Sequence, residues 1–503
     1  MEAIIAQLLA ENAAQRVQIA ELTATIAKLT DRVAELLAIA QQKKRPPPKP
    51  PREPSPPPDV PADAQQAFAE RPLPPEEPPP PEKAAKRPSP TGRKPLPKHL
   101  PADETTVVPD VCAHCNGTDL AVIDEVVEEK LDVRSHQRRR ITRRKTCRCK
   151  ACGLRTTGEA PPSPFQGSKV TCEWLAWLVV QKFQLVVPLD RVRRYLGVQG
   201  LALSMSFLVT QIEAAASLLE AIDGEHWKQL LAGSHLASDA TGFKVQVPKV
   251  GLHHGHIEVF HWHDVAVFQY EPEKGGETLA SKLGKFRGTL QVDAESRHNG
   301  VFADGRVTEA GCNAHGRRKF KDAEGSQPVL AKEGGRFVSS WFDADEEGRR
   351  EGHTGDALRT WRQQRIRPLV DDFRRWMDAV QPTLPPDDAV AKVIRYYRNH
   401  WEALTRFVDD PELPLDNSAS EREFQFVAKL RLNSLFAGGT EGAHRAAVLL
   451  GIAATCRRAG VDLGAYLTWV FVRVGTHAHK YNLSAAELTP AAYRRAHPEP
   501  ATN

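Results

Sequence analysis

Residues 5 to 40 follow a single heptad frame, with Ile5, Asn12, Ile19, Ile26, Val33 and Ala40 at one seam position and Leu8, Gln15, Leu22, Leu29 and Leu36 at the other. β-Branched residues at the first position with leucine at the second favour a parallel two-stranded coil, and Asn12 inside the seam would fix register and copy number. The pattern predicts a coiled coil over 1–42 and a homodimer or higher assembly; a lone amphipathic helix docked on its own body is the alternative. The frame ends at Lys43, and 23 of the 39 prolines fall between 43 and 109. Such a segment cannot bury a core and reads as an extended, disordered linker. Periodic apolar positions return in TCEWLAWLVVQKF, LDRVRRYL and FLVTQIEAAASLLEAI, with Ser204 placed to cap the last of these helices. Helix, glycine-containing turn and helix over 161–230 suit a DNA-reading helix-turn-helix and a plain helical bundle equally.

From 234 to 312 the period shortens to two. HLASDATGFKVQV, HIEVFHWHD and VAVFQYE read as three successive strands, ETLASKLG as a helix, GTLQVD and VTEAGC as two more strands, and NAHGRRKFKDA as the helix that follows. Three antiparallel strands followed by alternating helix and strand is the order of the ribonuclease-H fold. Between about 322 and 415 the chain turns helical and charged, with WRQQRIRPLVDDFRRWMDAV and DDAVAKVIRYYRNHWEAL as its clearest amphipathic pieces. The predicted architecture is multidomain: a coiled coil over 1–42, a Pro-rich linker over 43–109, a cysteine module over 110–160 and a helical region over 161–230. An α/β ribonuclease-H-like core then spans 231–440, with an all-α insertion at about 322–415, and a helical C-terminal element covers 441–503.

Charge adds little at the level of the whole chain: 68 basic and 63 acidic residues leave +5, which permits a nucleic-acid partner without demanding one. No run of eighteen apolar residues occurs, and the first residues form heptads rather than a signal sequence, so the expectation is an intracellular protein with no membrane partner. Cysteine placement says more. Five of the eight cysteines fall between Cys112 and Cys152, paired as Cys112-x-x-Cys115 and Cys149-x-x-Cys152 with Cys147 as a fifth thiol. Two such pairs supply four thiolates at tetrahedral geometry and predict a zinc ribbon holding one structural Zn²⁺. Between the pairs, Arg138, Arg139, Arg140, Arg143, Arg144 and Lys145 form a cluster dense enough to track a DNA phosphate backbone.

Three acidic residues then stand out. Asp239 and Asp293 fall in strand-like segments, and Glu421 opens a helix-like one in LDNSASEREFQF. Hard cations take oxygen ligands and leave positions open to water, so two strand aspartates and a helical glutamate predict a site for two Mg²⁺ or Mn²⁺ ions. Glu423, two positions on, would be turned roughly 200° around the helix and away from the same ions. The histidines His253, His254, His256, His261 and His263 lack an acidic or thiol partner at fixed spacing and read as an exposed hairpin. Cys312 and His315, one helical turn apart, read either as half a zinc site or as support for their helix.

Over residues 110 to 490 the chain resembles the DDE transposases of the insertion-sequence-66 family. The resemblance rests on LDNSASERE, RLNSLFAGG, GCNAHGRRKF and AAVLLGIAATCRRAGVDLGAYL. It implies that Asp239, Asp293 and Glu421 are the catalytic acids and that His315 supports them, with Arg317, Arg318 and Arg422 on DNA. It further implies double-stranded DNA partners (element ends and target), metal-dependent strand cleavage and transfer, small accessory proteins of the same element, and a bacterial cytoplasmic setting at the nucleoid. Five positions depart from the family's pattern. Ala240 follows the first acid where glutamate is expected, Ala294-Glu295 follows the second where glycine and an aromatic are expected, Asn313 replaces tryptophan and Leu432 replaces lysine. Those departures suit an alternative, a catalytically impaired transposase-derived DNA-binding regulator. A metal-dependent nuclease unconnected with mobile DNA would account for the acids but not for the C-terminal signatures.

Overall fold

The computed structural model describes residues 137–498 apart from 149–154, 158, 248 and 435–436. The expected coiled coil, Pro-rich linker and zinc-ribbon ligands Cys112, Cys115, Cys149 and Cys152 lie outside the described residues. The first described elements are two short antiparallel strands, β1 (Thr146–Arg148) and β2 (Arg155–Thr157), in which Thr146 faces Thr157 with their hydroxyls 2.8 Å apart. Three helices follow: α1 (Cys172–Val179), α2 (Leu189–Val198) and α3 (Met205–Ala232). Ser204 caps α3 by accepting the Phe207 N–H at 3.1 Å, satisfying one of the free amides at the helix start.

The predicted strands are all present: β3 (His235–Val247), β4 (Gly251–Trp262), β5 (Val265–Glu271), β6 (Gly288–Gln291) and β7 (Val307–Ala310). Helix α4 (Gly276–Lys282) precedes β6, a single turn α5 (Asn299–Phe302) precedes β7, and α6 (Asn313–Ala323) follows it. They form one sheet in the order β5-β4-β3-β6-β7, with β3, β4 and β5 antiparallel and β6 and β7 parallel to β3. β4 begins at Gly251, ahead of the predicted start, because β3 runs to Val247 and the hairpin pairs Val247 with Gly251. His253 and His254 thereby join His256 in β4, as strand residues of the hairpin.

The insertion comprises α7 (Pro328–Arg350), α8 (Gly355–Arg365), α9 (Arg367–Val380), α10 (Ala389–Asn399) and α11 (Trp401–Thr405). Both amphipathic pieces read from the sequence are broken. Pro368 stands in the first turn of α9, where its missing N–H is harmless, so the chain ends α8 before it; the second piece breaks at His400. The insertion has its own core, in which Phe373, Trp341, Tyr397 and Phe320 are buried together. Arg362 is fully buried inside it, donating to Asp345 Oδ1 at 2.7 Å and to the carbonyls of Phe407 and Asp410 at 2.6 and 2.8 Å. Asn313, the residue standing where tryptophan was expected, donates from Nδ2 to the Leu404 and Leu415 carbonyls at 2.9 and 3.2 Å. It ties the exit of the insertion to the start of α6.

The chain closes with α12 (Ser418–Ser434), α13 (Thr440–Arg458), α14 (Leu463–Val474) and α15 (Pro490–Ala496). The pleat sends Phe243, Val245, Ile257 and Val259 into one core with α1, α3, α13 and α14. Leu236, Phe260, Leu290 and Val307 face a second core under α4. α3 is the one helix among the described residues long and apolar enough to cross a membrane. Nine of its residues are buried, six of them in the core shared with the sheet and the C-terminal helices.

Candidate active site

Strand order brings the two aspartates together. Ala237 pairs with Gln291, the last residue of β6; Asp239 lies two residues further along β3 and Asp293 two residues past the end of β6, near enough for its charge to act on Asp239. Glu421 lies in the first turn of α12. Asn417 sets the position of that turn. Its Nδ2 donates to the carbonyl of Ser238, the residue before Asp239, at 2.9 Å, and its backbone N–H donates to Cys312 Sγ at 3.3 Å. Ser420 Oγ donates to Asn417 Oδ1 at 2.6 Å, so His261 Nε2, 2.7 Å from the same oxygen, must be the donor there. One buried chain of hydrogen bonds thus runs from β4 through the start of α12 to β3.

This corrects one expectation and bears on a second. His261 is 3 % exposed and holds α12 rather than decorating an exposed hairpin, and burial pushes its imidazole down to about 3, which keeps it neutral. Cys312 is buried and takes up the Asn417 N–H, so it serves the fold at the α12 junction, which supports the second of its two readings. Burial raises its thiol to about 11, so in the metal-free protein it stays a neutral thiol. Glu423 is buried on the other side of α12 against Arg457 and Arg458, as its helical angle predicts.

Burial, together with the charges of Asp293 and Glu421, pushes the Asp239 carboxyl up to about 6, against the opposing pull of the Ala240 N–H at 2.7 Å. Like charges held together without a counter-ion resist ionisation. Among the described residues no three His, Cys, Asp or Glu side chains form a ready-made cage for one ion. A pair of ions needs none, since Mg²⁺ is ordinarily held by one or two carboxylates, with water and substrate phosphate completing the shell. An acid trio whose mutual repulsion a cation would relieve fits that donor set.

Cations frame the trio. Arg318 Nη2 lies 3.5 Å from Glu421 Oε1, Arg317 is held over the Phe342 ring at 4.6 Å, and Arg422 is exposed on α12. On the opposite sheet face Arg297 pairs with the buried Glu258 at 2.8 Å and with Glu295 at 3.1 Å, and its charge reaches Asp239. Ser238 Oγ donates to the same Glu258 at 3.2 Å. Glu295 therefore has a partner in this chain where the family's motif has an aromatic. Ala294, where glycine was expected, adopts φ 57°, the left-handed conformation that glycine takes without strain. Arg431 binds the Thr241 hydroxyl and the Gly242 carbonyl at 3.1 and 2.6 Å, and Ala437 bridges to β3, so the RLNSLFAGG segment braces the strand that carries Asp239. Leu432 is exposed, as a residue in place of a surface lysine would be. His315 is half-buried on α6 with Nδ1 unpartnered. Arg138, Arg139, Arg143, Arg144 and Lys145 lie exposed on the segment entering β1, and Arg140 pairs with Glu173 at 3.1 Å.

Asn417, Ser420, His261, Glu258 and Arg297 were not identified from the sequence as site-building residues. Asn417 and Ser420 lay inside LDNSASERE, and only the distance contacts across 159 and 179 residues reveal what they hold.

An aspartate on β3, a second just past the end of β6 and a glutamate in the first turn of α12, with arginines nearby, make a clustered acidic site in a mixed α/β protein. The chain belongs to the transposase IS66 family, whose model matches residues 167–445. Relatives include the uncharacterized protein y4hP of Sinorhizobium fredii (strain NBRC 101917 / NGR234), 27 % identical over 417 residues, covering 76 % of this chain and 74 % of that one. The uncharacterized protein y4jD of the same organism is 27 % identical over 406 residues, covering 75 % and 78 %.

Proposed function

We propose that the protein is a DNA transposase that binds the terminal inverted repeats of its element, cuts strands at the ends and joins the freed 3′-hydroxyls to target DNA. The observation that carries this reading is the convergence of Asp239, Asp293 and Glu421, whose charges act on one another, with the start of α12 tied to β3 through Asn417 and the Ser238 carbonyl. The sheet order β5-β4-β3-β6-β7, with an all-α insertion before the glutamate, supports a ribonuclease-H-like catalytic core. Asp239, Asp293 and Glu421 would hold two Mg²⁺ or Mn²⁺ ions, which supply the positive charge that phosphoryl transfer needs at the attacking and leaving oxygens. The chain's own part is placement. The strands fix two carboxylates, α12 brings the third, and Arg317, Arg318 and Arg422 offer donors to phosphates on either side. Cleavage by water and joining by a 3′-hydroxyl make the same electrostatic demand, so one site serves both without a covalent enzyme intermediate. On the same reading the zinc-ribbon cysteines and the 138–145 basic segment recognise the ends, and the 1–42 coil pairs two copies.

The test is a labelled duplex end incubated with the full chain and Mg²⁺ or Mn²⁺. Wild type is expected to cut and join it, while Asp239→Ala and Glu421→Ala bind it and do neither. Cleavage by either variant removes the assignment. A wild-type chain that binds ends but neither cuts nor joins favours the impaired regulator, for which strained Ala294 and exposed Leu432 are the motivating observations.

A further inference from the structure

Asp293 takes no hydrogen bond from a side chain or backbone N–H among the described residues: His298 Nδ1 lies 3.7 Å from its Oδ1 and gives its proton to the Glu295 carbonyl at 3.2 Å. The direction of this carboxylate is therefore set by its backbone, and the next residue is the strained one. Ala294 holds the left-handed conformation at φ 57°, which a residue with a Cβ keeps only when its surroundings over-determine it. Glu295 then returns to extended backbone, at φ −75° and ψ 141°, before the chain tightens into a single 3₁₀ turn over Ser296–His298.

Glu295 is gripped from two sides. Lys274 Nζ, in the lead into α4, lies 2.8 and 2.6 Å from its two oxygens, and Arg297 Nε donates to Oε2 at 3.1 Å. Arg297 is anchored in turn. Its Nη1 pairs with the buried Glu258 of β4 at 2.8 Å, Glu258 accepts from the Ser238 hydroxyl at 3.2 Å, and the Ser238 carbonyl accepts from Asn417 Nδ2 at 2.9 Å. The start of α4 closes on the same segment, since a methyl group on Gly276 would come 2.8 Å from the Arg297 carbonyl. A chain of contacts thus runs from the lead into α4, across the turn beside Asp293, to the residue before Asp239 and on to the start of α12. Glu295 is its removable member: its side chain is 40 % exposed, and without it Arg297 still has Glu258.

We propose that Glu295 is a positioning residue for Asp293: clamped by Lys274 and Arg297, it holds the left-handed turn at Ala294 closed and so fixes where the second acid points. The inference rests on the metal-binding reading of the trio. Its test measures Mn²⁺ binding to the full chain by calorimetry, without DNA or turnover, with thermal melts in chelator to check that each variant is folded. Removing the support of a liganding side chain typically weakens metal affinity roughly 10–100-fold, so Glu295→Ala is expected to bind Mn²⁺ about tenfold more weakly. Loss of a nearby negative charge would also weaken binding, and two further variants separate the causes. Lys274→Ala removes a positive charge, so electrostatics alone would tighten binding, whereas loss of the clamp weakens it. In an Ala294→Gly background, where the turn carries no strain, Glu295→Ala should cost only about threefold or less. Unchanged affinity in Glu295→Ala, tighter or unchanged binding in Lys274→Ala, or the same loss in both backgrounds overturns the proposal. Asp293→Asn separates the two levels. If it binds Mn²⁺ as wild type does, the metal reading has failed and this inference with it; if it binds weakly while Glu295→Ala is unchanged, this inference alone has failed.

Discussion

Replacing Asp239 by asparagine should stabilise the metal-free protein at neutral pH. The folded carboxyl titrates near 6 rather than at its ordinary 3.8. A raised folded value means that between these two limits the native state holds more protons than the unfolded chain, so stability falls as pH rises through the window and the cost is complete above about pH 6. At 1.36 kcal/mol per pH unit the displacement corresponds to roughly 3 kcal/mol, which we reduce to about 2 kcal/mol for the part of the site that faces water. Asparagine keeps an oxygen for the Ala240 N–H and removes the charge that Asp293 and Glu421 repel. In thermal melts with chelator at pH 7.5, Asp239→Asn should therefore unfold a few degrees above wild type, on the scale of roughly 2–4 °C per kcal/mol for large domains. At pH 4 the difference should shrink to about 0.5 kcal/mol or less and vanish below the ordinary value of 3.8, and on the proposed metal reading saturating Mg²⁺ should shrink it at pH 7.5, because only the wild type keeps all three proposed ligands. No gain at pH 7.5, or the same gain at pH 4, would refute the reasoning that burial and the neighbouring acids jointly oppose ionisation.

Ala294→Gly should relieve a left-handed backbone at φ 57°. Alanine there costs about 1–2 kcal/mol, against roughly 0.5–1 kcal/mol of extra chain entropy for glycine, so a net gain of about 0.5–1 kcal/mol is expected in urea unfolding. A loss of stability would show that the conformation is not strained. Arg362→Met should cost on the order of 3 kcal/mol, because it leaves the Phe407 and Asp410 carbonyls without their buried donor and Asp345 with Arg349 as its remaining partner. Limited proteolysis within 328–405 should rise accordingly, and a variant as resistant as wild type would contradict the staple.

The strand segments, the Ser204 cap and the α6 boundaries were legible because their signals are local: period-two burial, a capping hydroxyl and a switch of period at Asn313. Glu421 was separable from Glu423 for the same reason, since helical angle alone puts them on different sides. The breaks at Ile366 and His400 were less legible, because one amphipathic stripe continues across each of them. His261 was misplaced because a histidine in an alternating strand carries no mark of burial. Its partner Ser420 lies 159 residues away.

By itself the sequence determined which residue types the acidic site would contain and the order of the elements that carry them. Only the tertiary structure decided that Ala237 pairs with Gln291, which brings Asp293 near Asp239, and that Asn417 reaches the Ser238 carbonyl to bring Glu421 beside them. The physical reason is that periodicity is written in neighbouring residues. Register across parallel strands and hydrogen bonds that close loops of more than a hundred residues are instead settled by which packing satisfies every buried donor and acceptor at once.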